Sequence, residues 1–116
     1  MPRKFIKSFE CAKSGVGHAV KTQRNLWIHF FAGLAVLFVA TQLQVSLLEL
    51  AVLVTAIFAV IVIEMVNTSI EELVNILSPE HRKEAALAKD VAAASVLLSA
   101  VGAVVVGLLI LVPKIL

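Results

Sequence analysis

Long runs of apolar residues, separated by short polar stretches, dominate the chain. Residues 25–48 and 91–113 contain no Asp, Glu, Lys or Arg, and each run exceeds the roughly 20 residues that a helix needs to cross a bilayer. The run 45–63 is interrupted only by Glu49 near its start, so we expect a third span there. The pattern predicts an all-α integral membrane protein with spans at about residues 26–41, 45–66 and 91–112.

The ends of the predicted spans follow from helix-breaking residues and from charge. The apolar repeat of the second span continues past Glu64, and Ser78-Pro79 should end that helix. The following stretch, "SPEHRKEAALAKD", has mixed charge and is expected to be a loop. The third span should then begin near Asp90 and end before Pro113.

The stretch before the first span has a different pattern. Residues 3–22 place apolar side chains on one side of a helix and most of the lysines on the other. This arrangement is typical of a helix that lies on a membrane surface. No A-x-A-like cleavage site follows it, so we expect a retained surface helix rather than a signal peptide. Residues 1–116 would then form a single membrane-embedded domain.

Composition and charge agree with this arrangement and orient it. The chain is 60% hydrophobic with a mean hydropathy of +1.01, whereas soluble domains are about half apolar. All of the Lys and Arg residues except Lys114 flank one side of the predicted spans, which predicts a cytoplasmic N-terminus. Trp27 and His29 should lie at the inner headgroup level. Cys11 is the only cysteine, so no disulfide can form within the chain.

Three polar side chains share one face of the second predicted span. Glu64, Asn67 and Glu71 follow at i, i+3 and i+7, which places them within a sector of roughly 60°. The ordinary alternative is a solvated helix end, but ionisable groups at membrane depth are costly and tend to serve a function. Lys89 and Asp90 would re-enter the membrane at the same level.

Together these residues offer the groups that phosphoryl transfer requires. Carboxylates can share a divalent metal with phosphates, and a lysine can neutralise phosphate charge. The sequence contains neither a G-x-x-x-x-G-K-[ST] loop nor a protein-kinase signature. Any kinase built on this chain would therefore be of another design.

The motif "EMVNTSIE", residues 64–71, resembles the E-x-x-N-[ST]-[SA]-I-E signature of the small bacterial diacylglycerol kinase family, which includes the undecaprenol kinases. The likeness extends over nearly the whole chain. "SFECAKSG" is similar to the surface-helix pattern of the family, "RNLWIH" to its entry into the first span, and "AKDVAAASVLL" to its entry into the third. The "RNxxIH" element is closer to the undecaprenol kinase branch.

The resemblance implies a homotrimer in the bacterial inner membrane, with cytoplasmic active sites between subunits. Its reaction would be transfer of the ATP γ-phosphate to a lipid alcohol with Mg²⁺, and no nucleic acid would take part. Glu64 matches the catalytic base of the family, Asn67 the asparagine that orders the site, and Glu71 a carboxylate that holds the metal on ATP. The positions that match nucleotide contacts are Lys89, Asp90, Glu80, His81 and Arg82.

Two positions depart from the family pattern. Gln23 stands where a second metal-binding carboxylate is usual, and Asn75 where an aspartate is common. A glutamine oxygen can ligate Mg²⁺ but adds no negative charge, so we expect weaker metal binding. Three functions stay open from the sequence: undecaprenol kinase, which we favour, diacylglycerol kinase, and a non-catalytic relative that acts as a membrane packing partner.

Overall fold

Four helices joined by short turns make up almost the whole protein. The structure, a computed structural model, describes residues 2–116, so residue 1 of the predicted domain lies outside the described residues. The helices are α1 (Pro2–Thr22), α2 (Arg24–Gln42), α3 (Leu47–Leu77) and α4 (Lys83–Ile115). No strand occurs within residues 2–116, and α2, α3 and α4 are each long and apolar enough to cross a membrane. The predicted all-α membrane class is confirmed.

The last helix differs from the prediction at both ends. It begins at Lys83, so most of the stretch expected to be a loop is helical. The reason is local composition, because "KEAALAK" consists of strong helix formers and charged side chains do not end a helix. The helix also continues past Pro113, before which the third span is predicted to end. That proline lies in the final turn, and the Leu116 N–H still donates to the Val112 carbonyl at 3.1 Å.

Side chains fix the two turns that join the long helices. Ser46 caps α3, since its hydroxyl accepts from the Glu49 N–H at 3.1 Å while the Glu49 carboxylate accepts from the Ser46 N–H at 2.8 Å. At the other end of α3, the Ser78 hydroxyl accepts from the Arg82 N–H at 3.2 Å. His81 in this turn has a φ of 58°, in the left-handed region. Both turns are therefore tight.

Helix α3 is the centre of the bundle. It packs against α4 along one side and against α2 on another, while α1 contacts mainly α2. The buried apolar residues are few and mostly of moderate size, among them Leu26, Ala40, Leu53, Val60 and Ala92. Most large apolar side chains are exposed on the outer surface. A surface of this kind requires lipid or further protein around it.

One glycine sets the distance between α2 and α3. Gly33 is buried, and a Cβ atom placed on it would lie only 2.7 Å from Cγ2 of Ile57. Helices in membranes approach closely where small residues form the interface. Gly33 therefore allows α2 to lie against α3 at a separation that a larger residue would prevent.

An ion pair lies at the end of the bundle that is farthest from the polar row formed by Glu64, Asn67 and Glu71. Lys114, in the last turn of α4, has its Nζ 3.2 Å from Oε1 of Glu49 in the first turn of α3. The same Glu49 oxygen takes part in the Ser46 cap. One carboxylate thus joins the start of α3 to the end of α4.

We predict that Gly33→Ala destabilises the protein. The added methyl group meets a β-branched side chain that cannot easily move away, and overpacking of this kind costs about 1 to 3 kcal/mol. Unfolding of the purified protein in detergent micelles by graded denaturant measures the loss. Gly102→Ala is the matched control, because nothing lies within 4 Å of a Cβ atom at that position. Equal losses in the two variants would contradict the close approach.

Candidate active site

The polar row on α3 faces inward rather than towards the surroundings. Glu64 is 2% exposed and Asn67 is 8% exposed, whereas Glu71 is half-buried. The Asn67 side chain donates from Nδ2 to Oε1 of Glu71 at 3.1 Å. Polar burial therefore decreases along the row from Glu64 to Glu71, and two of its members are in direct contact.

The Glu64 carboxylate has one ionisable side chain within 4 Å. Nε2 of His29, on α2, lies 3.9 Å from its Oε2, and within residues 2–116 no other side chain forms such a pair with Glu64. This distance is too long for a direct hydrogen bond. Sequence reasoning assigned His29 to the headgroup level and missed this contact. The signal for it is spatial, because His29 and Glu64 are on different helices.

The side-chain oxygen of Asn67 accepts no hydrogen bond within the described residues. Its Oδ1 atom is buried and has no hydrogen-bond partner among the residues that the structure describes. Thr68, the next residue, is also buried, but its hydroxyl donates to the Glu64 backbone carbonyl at 3.0 Å and is therefore satisfied. A buried acceptor without a partner is unfavourable, and it marks a place where a ligand or a second copy of the chain could donate.

A second group of predicted residues lies in a cavity of about 250 Å³ between the end of α3 and the start of α4. Its lining includes Asn75, His81, Lys89 and Asp90. The Lys89 ammonium donates to Oδ1 of Asn75 at 3.0 Å. Because Asn75 is neutral, this contact orients Lys89 without cancelling its charge. The cavity therefore offers the Lys89 ammonium to an anionic group and the Asp90 carboxylate to a cation or a hydrogen-bond donor.

The three predicted residues of the α3–α4 turn do not behave alike. His81 lines the cavity, whereas Glu80 and Arg82 form an exposed ion pair with a distance of 2.6 Å between Oε1 and Nε. Exposed pairs of this kind contribute little to stability. Their charged groups can exchange partners at low cost when a ligand binds.

Gln23 lies at the break between α1 and α2, where its backbone N–H donates to the Ala19 carbonyl at 2.8 Å. Its half-buried side chain makes no capping hydrogen bond to α2. Two contacts hold this corner. The Trp27 indole N–H donates to the Val20 carbonyl at 2.8 Å, and His18 on α1 lies 2.6 Å from the Glu72 carboxylate of α3. These two contacts attach the surface helix to the bundle. The Gln23 side-chain amide is not used for capping and can contact a ligand.

The donor set fits a magnesium ion that arrives together with a nucleotide. Within residues 2–116 no three His, Cys, Asp or Glu side chains gather into a metal-binding cluster. Mg²⁺ usually needs no such cluster, because one or two carboxylates, water and substrate phosphates complete its shell. Glu71 offers a carboxylate, and the adjacent Asn67 offers the unpartnered amide oxygen.

An apolar groove of about 390 Å³ is lined by His29, whose Nε2 lies 3.9 Å from the Glu64 carboxylate, whereas Glu64 itself does not line it. It runs between α2, α3 and α4, and His29 is its only lining residue with an ionisable side chain. Much of the remaining lining is small, including Gly33, Ala56, Ala103 and Gly107. A hydrocarbon chain lying in this groove would place a polar head group near His29 and Glu64.

Comparison with known proteins identifies the class. Residues 10–111 match the family model for prokaryotic diacylglycerol kinase, and the chain belongs to that family. This confirms the resemblance carried by the "EMVNTSIE" motif. The protein is therefore a multi-helix membrane protein from a family of lipid kinases.

Some of the relatives are named diacylglycerol kinase, and another is named undecaprenol kinase. A diacylglycerol kinase of Synechocystis sp. is 40% identical over 97% of this chain, and the chain spans 65% of the length of that relative. An undecaprenol kinase of Bacillus subtilis is 35% identical over 96% of this chain and 90% of its own length. A diacylglycerol kinase of Escherichia coli is 30% identical over 77% of this chain and 79% of its own length. The names of these relatives agree on lipid kinase activity and differ in the lipid that they state.

Proposed function

We propose that residues 1–116 form one lipid kinase domain that transfers the γ-phosphate of ATP to the hydroxyl of a membrane lipid alcohol, and that this alcohol is undecaprenol. The observation that carries the proposal is the buried Glu64 carboxylate, which lies 3.9 Å from Nε2 of His29, a residue that lines an apolar groove. A carboxylate at this position is within reach of a hydroxyl group whose hydrocarbon chain stays in the membrane. ATP approaches from the water-exposed turns of the same helix.

Glu64 is the general base of the proposed reaction. It takes the proton from the lipid hydroxyl as the alcohol oxygen attacks the γ-phosphorus, and the bond from that phosphorus to the β–γ bridging oxygen breaks to release ADP. Burial excludes water, which would otherwise compete as an acceptor. Asn67 is adjacent and orders the site through its contact with Glu71.

The nucleotide and its metal occupy the wetter part of the site. Glu71 and Gln23 are the proposed magnesium ligands, and Mg²⁺ when bound would neutralise charge on the phosphates. Lys89 is the proposed phosphate contact, and its hydrogen bond to Asn75 holds the ammonium group in position. The remaining proposed nucleotide contacts come from Asp90, Glu80, His81 and Arg82.

We also propose a homotrimer with its N-terminus and active sites on the cytoplasmic side of the bacterial inner membrane. Three spans with so many exposed apolar side chains shield little of one another, which favours association. The unpartnered Asn67 Oδ1 supports a site that a second copy completes. The one-sided distribution of Lys and Arg supports the orientation.

The choice of undecaprenol rests on two observations. The Bacillus subtilis relative named undecaprenol kinase matches along nearly its whole length. The apolar groove that His29 lines, 3.9 Å from Glu64, suits one hydrocarbon chain, and a prenyl alcohol carries one such chain whereas diacylglycerol carries two. Diacylglycerol remains the second candidate, because the relatives from Synechocystis and Escherichia coli bear that name.

A competition assay tests the acceptor. Radiolabelled ATP is supplied to the purified protein in mixed micelles that contain equal amounts of undecaprenol and diacylglycerol. We expect label mainly in undecaprenyl phosphate. Preferential label in phosphatidic acid would assign the second candidate, and absence of label from a folded protein would contradict the kinase activity itself.

Replacing Glu64 by Gln should abolish most turnover. The change preserves shape and removes basicity, so we expect a loss of about 100-fold or more in kcat, within the usual range for a general base. The KM for ATP should change little, because the nucleotide contacts lie elsewhere. Steady-state kinetics in micelles measures both, and near-normal turnover would refute the assignment. Glu10→Gln serves as the control, since this carboxylate is exposed on α1.

Metal dependence separates the roles of Glu71 and Gln23. Glu71→Gln should raise the magnesium concentration needed for half-maximal activity, and Gln23→Glu should lower it, because Mg²⁺ prefers charged oxygen ligands. A magnesium titration at fixed ATP measures both shifts. A fall in activity with an unchanged midpoint would reassign Glu71 to helix packing. An unchanged midpoint for Gln23→Glu would mean that residue 23 does not contact the metal.

A further inference from the structure

We infer that His29 accepts the proton that Glu64 takes from the substrate and transfers it out of the membrane site. The inference rests on the proposed function, in which Glu64 is the base. Phosphorylation of an alcohol releases one proton per turnover, and this proton must leave the carboxylate before the next cycle begins. The route has to pass through whatever group joins Glu64 to water.

Within residues 2–116, His29 is the only side chain with an ionisable atom within 4 Å of the Glu64 carboxylate. The side chain of Glu64 is 3% exposed, whereas that of His29 is 23% exposed and lines the groove. The imidazole therefore lies next to the buried carboxylate and is itself partly accessible. Thr68 cannot serve, because its hydroxyl donates to the Glu64 backbone carbonyl. Asn67 has no proton that it can give up and regain at neutral pH.

The distance and the ring chemistry suit such a transfer. The 3.9 Å between His29 Nε2 and Glu64 Oε2 is slightly longer than a hydrogen bond, and hydrogen bonds of catalytic groups often shorten only in the complex with substrate. Imidazole has two nitrogen atoms, so it can accept a proton on one and release another from the second. His29 also lies at the head of the apolar groove, next to the proposed position of the acceptor hydroxyl.

The proton balance of the cycle is complete. In the first step the lipid hydroxyl loses its proton to the Glu64 carboxylate, the new oxygen–phosphorus bond forms, and ADP departs. In the second step neutral His29 accepts this proton at Nε2 and Glu64 returns to the carboxylate form. In the third step the imidazolium releases the proton from Nδ1 to water, and proton exchange of the ring with water restores the neutral tautomer that carries its hydrogen on Nδ1 and leaves Nε2 free. His29 acts through Glu64 and is therefore a positioning and relay residue.

Two substitutions at position 29 separate the relay from a structural role. His29→Ala removes the ring and leaves space, whereas His29→Gln retains polarity and much of the volume but cannot carry a proton. We expect each to lower kcat by about 10-fold to 100-fold with little change in the KM for ATP, at the lower end of acid–base effects. Added imidazole should restore turnover in His29→Ala and not in His29→Gln.

His18 provides a matched control. It is an exposed histidine with its own carboxylate partner, Glu72 at 2.6 Å, so it has the same chemistry outside the site. Activity of His18→Ala should not respond to imidazole. The double variant Glu64→Gln with His29→Ala should be no slower than Glu64→Gln alone, because residues that act in one step give losses that do not add.

The outcomes distinguish failure of the relay from failure of the proposed function. Wild-type turnover in His29→Gln, an unrescued loss in folded His29→Ala, or additive losses in the double variant would each overturn the relay. If Glu64→Gln alone remains active, the base assignment fails and the relay fails with it. If Glu64→Gln is inactive while both His29 variants turn over normally, the relay alone is wrong.

Discussion

The burial of the Glu64 carboxylate is the constraint on which the rest of the structure depends. A charged group in an apolar setting is unfavourable unless other groups compensate, and here the only ionisable compensation within residues 2–116 comes from His29 on the neighbouring helix. Helix α2 must therefore lie close to α3, and Gly33 makes this approach possible. The polar row then continues along α3 from the buried Glu64 to the half-buried Glu71.

Much of the fold follows from the sequence because its determinants are local. Long uncharged runs can satisfy their backbone hydrogen bonds in a membrane only as helices, and this predicts three spans without further information. The turn at Ser78-Pro79 follows from local chemistry as well. The mixed charge of residues 83–90 predicts a loop, and this prediction is wrong because charge does not prevent a helix. The residues from Lys83 to Asp90 are charged and helical at the same time.

The candidate site is only partly accessible to such reasoning. The shared face of Asn67 and Glu71 follows from helical periodicity, and their hydrogen bond agrees with it. The contact of His29 with Glu64 depends on how two separate helices pack, which no local spacing reveals. The hydrogen bond from Lys89 to Asn75 likewise crosses from α4 to α3. The residue types were visible in the sequence, but their partners were not.

The ion pair between Lys114 and Glu49 has a mechanical consequence for the bundle. It fixes α3 and α4 to each other at the end that lies farthest from the 64–71 row. At 1.5 Å per residue, Glu64 and Glu71 lie about 22 Å and about 33 Å along α3 from Glu49, so a rotation of about one degree around the fixed end displaces them by about 0.4 Å and about 0.6 Å. The same rotation leaves the neighbourhood of Glu49 almost unchanged. Small tilts of the long helices are therefore amplified where the polar groups meet.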